Sequence, residues 1–245
     1  MIDYHGEENP KMYHIQCRKG DVGEYVLLPG DPFRTDKIAK FLDNPVLVAH
    51  NREHKTWTGT LDGVKVSVTS TGMGCASTAI AVEELIKCGA KTFIRIGTAG
   101  AVKDPKDCEN YDCCIVTGAV RDDGTSIQYV PIQFPAIADR HVVDALARAA
   151  KNLGLNALEG ITQSKDSFYG EIDPDSSPVG EQLKRNWYAY QKAGVCCSEM
   201  ECSAIFCISA CRGTRGSAIM NWGDMDKTIQ AACDAVKILI KEENK

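Results

Sequence analysis

The sequence lacks an excess of basic charge, a long apolar run and the common glycine patterns of nucleotide-binding loops. Its 245 residues carry 28 lysines and arginines against 33 aspartates and glutamates, a net charge of −5, which argues against a nucleic-acid-binding surface. No apolar run approaches the roughly 18 residues that cross a bilayer, and the polar start of the chain has no signal-peptide core. A Walker A loop and a GxGxxG fingerprint are both missing. We therefore expect a protein that binds neither nucleic acid nor membrane.

Metal-binding cysteine patterns are also missing, although cysteine itself is abundant. The twelve cysteines form no pair of Cys-x-x-Cys knuckles and precede no spaced histidines of the zinc-binding type. The adjacent pairs Cys113-Cys114 and Cys196-Cys197 lie inside apolar, strand-like runs. We expect reduced thiols that serve as small core side chains in a cytoplasmic protein, with no bound metal.

What the sequence does contain is a regular alternation of short apolar strands with helices. No repeat, low-complexity segment or flexible linker interrupts it, so we expect one α/β domain over residues 13–245 after a polar N-terminal extension, residues 1–12. Several glycine turns follow strands, at the carboxyl ends where open α/β sheets usually bind ligands. Strands are expected at 24–28, 56–61, 64–68, 92–96, 113–120, 158–163 and 217–220, and helices at 32–42, 74–89, 140–153, 179–192, 201–211 and 227–241.

Two of these turns carry an arginine and indicate an anion site. In the first, Gly30 follows a strand and bares backbone N–H groups, and Arg34 lies one turn into the next helix. In the second, Arg95 lies between two isoleucines of a strand that ends at Thr98. A buried arginine is costly unless it meets an anion or a carboxylate. Arg95 therefore belongs either to a core ion pair or, with Thr98, to a phosphate clamp, and both interpretations remain open.

A pair of carboxylates forms the next candidate feature. Glu199 and Glu201, two residues apart at a strand-to-helix junction, are expected to face the same side. A glutamate in the first turn of a helix is also favoured by the helix dipole without any function. A carboxylate is nevertheless well suited to accept two hydrogen bonds from a ribose diol.

Together these segments resemble the nucleoside phosphorylases of the hexameric type, and specifically their uridine phosphorylase branch. The resemblance runs in order from about Tyr13 to Leu239, nearly the whole chain. It implies a single-domain, three-layer α/β/α sandwich around a central mixed, partly barrel-like sheet. The segments that carry the resemblance are Leu28-Pro29-Gly30-Asp31-Pro32, Asn51-Arg52-Glu53, Ser70-Thr71-Gly72-Met73-Gly74, Arg95-Ile96-Gly97-Thr98-Ala99-Gly100, Asp166-Ser167-Phe168-Tyr169-Gly170 and Ser198-Glu199-Met200-Glu201.

The resemblance also implies which residues form the site. Arg34, Arg95 and Glu201 are the expected catalytic residues, and no residue acts as a covalent nucleophile. The phosphate ligands would be Gly30, Arg34, Arg95 and Thr98, with Arg52 from a neighbouring subunit. The ribose ligands would be Met200 and Glu201, with His14 from the same neighbour. The residues that contact the base would be Gly100, Phe168, Glu171, Asn221 and Trp222.

The same resemblance implies the ligands and the assembly. It implies no cofactor, with inorganic phosphate as the co-substrate beside a small-molecule nucleoside. Because the site is shared across a dimer, the chain is expected to form a hexamer built from such dimers. Some relatives place a structural monovalent cation at the subunit interface, and Glu53 and Ser77 match that position.

The sequence departs from the uridine branch mainly where the base would bind. Relatives carry a glutamine after the Phe-Tyr pair, and Glu171 holds that place here. An ionised carboxylate accepts from uracil N3–H but cannot donate to O2, so one of two hydrogen bonds becomes a repulsion. Trp222 either stacks on the base or fills core. The segment Gly223–Asp226 is shorter than the family's lid, and Asn221 cannot donate a full proton to a purine N7.

The leading hypothesis is therefore reversible phosphorolysis of a pyrimidine nucleoside, with uridine and phosphate giving uracil and ribose 1-phosphate. A purine or broad-specificity nucleoside phosphorylase is the alternative enzyme, with Glu171 accepting from an N–H of the base. A hydrolytic nucleosidase has no need of three arginines. A catalytically weak nucleoside-binding protein is the non-enzyme alternative, since Glu171 and the short lid depart from the pattern.

Overall fold

The computed structural model describes residues 8–103 and 108–244. Of the predicted N-terminal extension, residues 1–7 lie outside this part of the chain, whereas Met12 is buried in the core. In chain order the elements are β1 (Tyr25–Leu28), α1 (Pro32–Ala39), β2 (Asp43–Asn51), β3 (His54–Leu61), β4 (Val64–Thr69), α2 (Gly74–Cys88), β5 (Thr92–Thr98), β6 (Gly100–Ala101), β7 (Cys113–Asp122), β8 (Ala136–Ile137), α3 (Arg140–Asn152), β9 (Ala157–Lys165), α4 (Phe168–Ile172), α5 (Gly180–Lys192), β10 (Cys197–Glu199), α6 (Cys202–Arg212), β11 (Arg215–Asn221) and α7 (Met225–Glu243).

The strands form one mixed sheet, as expected. Its order is β2-β3-β4-β1-β5-β11-β7-β9-β10-β6, with β8 paired to β7. β1 runs parallel to both of its neighbours, β4 and β5, whereas β7 runs antiparallel to β11. The sheet is mixed because hairpins and helical crossovers both connect its strands.

The sheet curls without closing. A single residue separates β6 from the end of β5, yet β6 pairs with β10 at the far end of the strand order, with Gly100 opposite Ser198. The chain itself therefore links the first and last strands of a curled group, β5-β11-β7-β9-β10-β6, although no hydrogen-bonded ladder closes it within residues 8–103 and 108–244. This curl brings the end of β5 beside the end of β10.

Helices cover both faces of the sheet and give three layers. One buried cluster joins the sheet to α2 and α6 through residues such as Leu85 and Phe206. A second cluster on the opposite face joins it to α1, α3 and α7 through residues such as Leu146 and Val236. Within the described ranges, no helix combines the length and apolarity needed to span a membrane.

Local sequence signals explain most element boundaries. Asp31 caps α1 by accepting from Phe33 N, with proline at the first helical position. Asp62 and Gly63 both have positive φ, 49° and 76°, which is the geometry of a two-residue hairpin turn. The expected strands and helices are all present, with shifts of a few residues at their ends.

Four strands and one helix were not expected. β2 contains Pro45 and is mostly exposed, so it shows none of the alternation that marks a half-buried strand. The strands β6, β8 and β10 have two or three residues each, and α4 has five. Such short elements depend on pairing with distant segments, which local sequence does not encode.

Candidate active site

A cleft of about 960 Å³ opens beside the carboxyl ends of β1, β5, β9 and β10. Its position agrees with the rule that open α/β sheets bind ligands at these strand ends. Most of the expected site residues line it together. They are Gly30, Arg34, Arg95, Thr98, Gly100, Phe168, Glu171, Met200 and Glu201.

Arg95 is the buried charge at the centre of this cleft. It lies on β5 opposite Leu28 of β1 and is 5% exposed. Its Nη2 donates to Glu201 Oε2 in a very short ion pair, and its Nε lies 3.2 Å from Glu199 Oε2. Both carboxylates thus face the same arginine, a partner that their spacing alone did not identify.

The electrostatics keep this arginine charged. Burial by itself lowers the pKa of Arg95, but the facing carboxylates of Glu201 and Glu199 raise it above its ordinary value. Burial raises the pKa of Glu199, and the neighbouring Glu201 raises it further, against the opposing effect of Arg95. Two carboxylates around one guanidinium leave no net positive charge at this point.

Two nitrogens of Arg95 make no hydrogen bond with the described residues: Nε, which has only its ion-pair contact with Glu199, and Nη1. Nη1 is buried and has no hydrogen-bond partner among the described residues. It lies near Gly30, because a Cβ added there would be 3.8 Å from it. A buried donor without a partner is costly, so its position on the cleft wall indicates a group that accepts a hydrogen bond from it. The core ion pair and the anion clamp, which were alternatives, are therefore compatible.

Arg34 approaches the same point from α1. It is half-buried, and its Nη1 makes one long contact, 3.5 Å, to Ile96 O. Burial lowers the pKa of Arg34, and the positive charge of Arg95 lowers it further, against the opposing effect of Asp31. Two guanidinium groups that repel each other in one cleft are typical of an anion-binding site.

Glycines make room for this arrangement. A Cβ on Gly97 would lie 3.2 Å from Arg95 Nη2 and 2.7 Å from Met220 Sδ. Gly72 has a φ of +70°, and a Cβ there would lie 2.6 Å from Glu53 Cγ. Both positions exclude larger residues because the functional side chains pack directly against the backbone.

Glu201 is held on the other side by backbone N–H groups. Gly74 N donates to its Oε1 at 2.7 Å, and Met200 N lies 3.2 Å from its Oε2. Glu199 is fixed by the first turn of α6, where Glu201 N and Cys202 N donate to Glu199 Oε2 at 2.8 Å and 3.0 Å. The two carboxylates thus have different tasks: Glu199 anchors the helix terminus, and Glu201 lines the cleft.

The opposite end of the cleft carries Phe168 and Glu171 from α4. Phe168 is half exposed and meets Tyr169 edge to face, with ring centroids 5.5 Å apart. Glu171 Oε2 forms an ion pair with Lys165 Nζ at 2.5 Å. Lys165, at the end of β9, also lines the cleft. This end combines an exposed aromatic ring with a lysine–glutamate pair.

Two other expected residues lie next to each other but outside the cleft lining. His14 Nδ1 lies 2.7 Å from Glu84 Oε1, and the carbonyl of His14 accepts from Asn51 Nδ2 at 2.7 Å. Arg52 follows in an exposed turn with a φ of 53°. The residues assigned to a neighbour's site therefore share one surface of this chain.

Glu53 connects that surface to the cleft. It lines the cleft and accepts from Ser77 Oγ at 2.8 Å. Hydrogen bonds from its own backbone N–H and from Ser77 lower the pKa of Glu53, so its carboxylate stays ionised. The structure thus brings Glu53 and Ser77 into direct contact.

Asn221 and Trp222, expected near the base, point elsewhere. Asn221 Oδ1 accepts from Thr228 Oγ1 at 2.8 Å, which ties the end of β11 to α7. Trp222 Nε1 donates to Ala99 O at 3.0 Å, and its ring packs against the core. Neither residue lines the cleft. Trp222 instead holds the turn between β5 and β6.

Lys165 is the cleft residue that the sequence analysis missed. It follows Gln163 at an alternate position of β9, and both side chains are buried. The signal that was available is the run of four polar residues that ends the strand, residues 162–165, all of which are buried. Because the sequence does not show that Lys165 pairs with Glu171 on the short helix α4, this polar pattern is typical of an ordinary strand end.

Comparisons with known proteins show which family the chain resembles. The profile of the Phosphorylase superfamily matches residues 24–237. The chain is 41% identical over 248 aligned positions to the uridine phosphorylase of Treponema pallidum (strain Nichols), covering 95% of each chain. It is 44% identical over 214 positions to the uridine phosphorylase of Thermococcus kodakarensis, covering 86% of this chain and 76% of the relative. It is also 37% identical over 209 positions to the guanosine phosphorylase of Halorubrum lacusprofundi, covering 85% and 81%.

Proposed function

Since the chain belongs to the nucleoside phosphorylase family, in its uridine phosphorylase branch, we propose that it catalyses the reversible phosphorolysis of uridine to uracil and ribose 1-phosphate. The observation that carries this proposal is the buried, unpaired Nη1 of Arg95 beside Gly30. With Arg34 it offers a desolvated site for one orthophosphate, next to a carboxylate suited to a ribose diol.

The reaction follows from this arrangement. Arg34, Arg95 and Thr98 hold the phosphate below the anomeric carbon, and one phosphate oxygen forms the new bond to C1′. As the C1′–N1 bond breaks, its electron pair stays on uracil, which leaves as an anion and takes a proton from water. Charge develops on the sugar and on the base in the transition state, so fixed charges around both lower the barrier.

Glu201 orients the sugar in this proposal. Its Oε1 is fixed by Gly74 N and its Oε2 by Arg95. A rigid carboxylate accepts hydrogen bonds from the ribose hydroxyls without losing side-chain conformational entropy at the moment of reaction. The Met200 backbone lies beside it and supports the same contact.

A second copy of the chain completes the site. Met73 and Phe168 line the cleft and are 85% and 50% exposed, so a second copy packed beside the cleft would bury apolar surface of both. His14 and Arg52 lie on one surface of the chain, ready to enter a second copy's cleft. These features support a dimer with shared sites, and a hexamer built from three such dimers.

The remaining proposals concern the cation and the compartment. Glu53 and Ser77 present an ionised carboxylate and a hydroxyl, the oxygen donors that a hard monovalent cation takes. One chain offers too few donors to enclose an ion, so we place a structural cation between two copies.

Eleven of the twelve cysteines are buried thiols, which supports a reducing, cytoplasmic location.

A nucleoside panel assayed with and without phosphate tests the function. We expect ultraviolet-detected loss of uridine that requires phosphate, and release of ribose 1-phosphate. Purine turnover above uridine turnover contradicts the pyrimidine assignment. Turnover that persists unchanged in phosphate-free buffer indicates a hydrolase instead.

A 6-oxopurine nucleoside is the second candidate substrate. Glu171 accepts hydrogen bonds at the base end of the cleft, and the chain is similar to a guanosine phosphorylase. The N1–H of guanine offers Glu171 a donor comparable to uracil N3–H. Guanosine and inosine therefore belong in the panel beside uridine.

Trp222→Phe separates the two interpretations of that residue. Because Trp222 Nε1 donates to Ala99 O, its loss should loosen the turn that presents Thr98. We expect the KM for phosphate to rise about fivefold, from the roughly 1 kcal/mol of one hydrogen bond, while the KM for uridine stays within about twofold. Steady-state kinetics with each substrate varied measures both, and a rise confined to uridine instead indicates base stacking by Trp222.

A further inference from the structure

Lys165 is a buried lysine that the phosphate and ribose contacts do not use. It is 7% exposed at the end of β9, in the wall of the cleft. Its Nζ lies 2.5 Å from Glu171 Oε2 and 2.6 Å from Ser198 Oγ. A lysine is rarely buried to this degree unless it is paired, so its place in a ligand cleft calls for an explanation.

The ion pair leaves one donor and one acceptor free. An ammonium group has three N–H donors, and Lys165 Nζ uses two of them among the described residues. Glu171 Oε1 has no hydrogen-bond partner in the same part of the chain, because both of its contacts fall on Oε2. The pair therefore presents a free N–H beside a free carboxylate oxygen.

The free carboxylate oxygen lies in the wall of the cleft, next to Gly100. A Cβ added to Gly100 would lie 3.3 Å from Glu171 Oε1, so this oxygen packs close to the glycine backbone. Because Gly100, Phe168 and Glu171 all line the cleft, a base that meets this oxygen would approach it from the cleft side. Glu171 has a side-chain exposure of 19% and Lys165 of 9%, so most of the surrounding water is already excluded.

Uracil matches this arrangement through adjacent groups of its ring. Its N3–H donates and the carbonyl next to it accepts, so a carboxylate and an ammonium can each pair with one of them. Cytosine has no hydrogen on N3 and would set a lone pair against the carboxylate. Because Glu201 holds the ribose, the base cannot slide to another register without losing that contact.

We propose that Lys165 and Glu171 act together as the base-recognition pair, in which Glu171 accepts from the N3–H of uracil and Lys165 donates to the adjacent carbonyl. This inference rests on the proposed phosphorolysis. It also resolves the difficulty of Glu171, since the donor that a carboxylate cannot supply comes from Lys165. The ammonium also faces the negative charge that develops on the leaving base.

The first test compares uridine, cytidine and 3-methyluridine with the wild-type protein and Glu171→Gln. The wild type should favour uridine over the other two by at least about 10³-fold in kcat/KM, since each leaves buried charges unpaired. A glutamine amide can turn and donate to cytosine N3. The uridine-to-cytidine ratio should therefore fall at least about tenfold, and an unchanged ratio overturns the proposal.

The second test uses Lys165→Met, which keeps the length of the side chain and removes its charge. We expect kcat/KM for uridine to fall about 10- to 100-fold, the range for a hydrogen bond to a charged group. Calorimetry should show uracil binding at least about tenfold weaker, with phosphate binding changed less than about threefold. Equal losses for uracil and phosphate indicate a structural role and refute the assignment.

Lys55→Met is the matched control, because Lys55 forms an ion pair with Asp36 at 2.5 Å outside the cleft. Its base preference should equal that of the wild type. If Lys165→Met does not fold, Glu171→Gln alone decides, since Glu171 is less buried. Absence of phosphate-dependent turnover with every nucleoside overturns the proposed function itself, whereas phosphorolysis with an unchanged base preference overturns only the recognition pair.

Discussion

Arg95→Met should abolish turnover, with a loss in kcat/KM of at least about 10³-fold. The substitution removes a guanidinium group proposed to hold the phosphate, and charged hydrogen bonds of this kind contribute about 1.5–3 kcal/mol each. It also leaves Glu199 and Glu201 buried without their counterion, which costs about 3–5 kcal/mol of unfolding free energy. Steady-state kinetics and thermal melting measure the two effects.

Arg121→Met provides the control that separates catalysis from stability. Arg121 is also buried, but it donates to the carbonyls of Val130, Pro131 and Phe134 outside the cleft. We expect a lower Tm with kcat/KM per folded molecule within about threefold of the wild type. If Arg95→Met loses no more activity than Arg121→Met, Arg95 serves only the fold. Added phosphate should raise the Tm of the wild type but not that of Arg95→Met.

Glu201→Gln should cost about 10²- to 10³-fold in kcat/KM for uridine. The amide keeps the shape of the side chain and can still accept from Gly74 N, but it loses the charge that strengthens hydrogen bonds from the ribose hydroxyls. Loss of charge on two such bonds corresponds to about 3–4 kcal/mol, at 1.36 kcal/mol for each tenfold change.

A comparison of uridine with 2′-deoxyuridine identifies the cause of that loss. The deoxynucleoside lacks one hydroxyl, so the substitution should lower its kcat/KM less than that of uridine. Equal losses would mean that Glu201 acts only by positioning Arg95. Asp123→Asn is the matched control, since Asp123 is a buried carboxylate that accepts from Ser126 and Ser203 and does not line the cleft.

The sequence was sufficient for the parts of the site that lie within one local segment. Gly30 and Arg34 belong to one strand–turn–helix unit, and Arg95 is conspicuous because a strand otherwise made of apolar residues surrounds it. Their meeting in one cleft could be expected, since β1 and β5 both end there. The spacing of Glu199 and Glu201 indicated that the two carboxylates face the same side, but not that their partner is Arg95.

The remaining features depend on spatial contacts that the local sequence does not reveal. Lys165 and Glu171 are close in sequence, but they pair only because the chain turns from the end of β9 into the short helix α4, whose residues carry no strong helix signal. Trp222 donates to Ala99 across 123 positions of sequence, so its role could not be read locally. The strand β2 was missed although it pairs with the adjacent strand β3, because its exposed residues show no alternation of apolar and polar side chains.

The single residue between β5 and β6 links the two ends of the ligand cleft. In the proposed site, Thr98 belongs to the phosphate end and Gly100 to the base end, and only Ala99 separates the two residues. An ordered phosphate end therefore pre-arranges the wall against which uracil rests, and the reverse holds by thermodynamic reciprocity. Phosphate and nucleoside should thus tighten each other's binding, which favours the ternary complex over either half-filled enzyme.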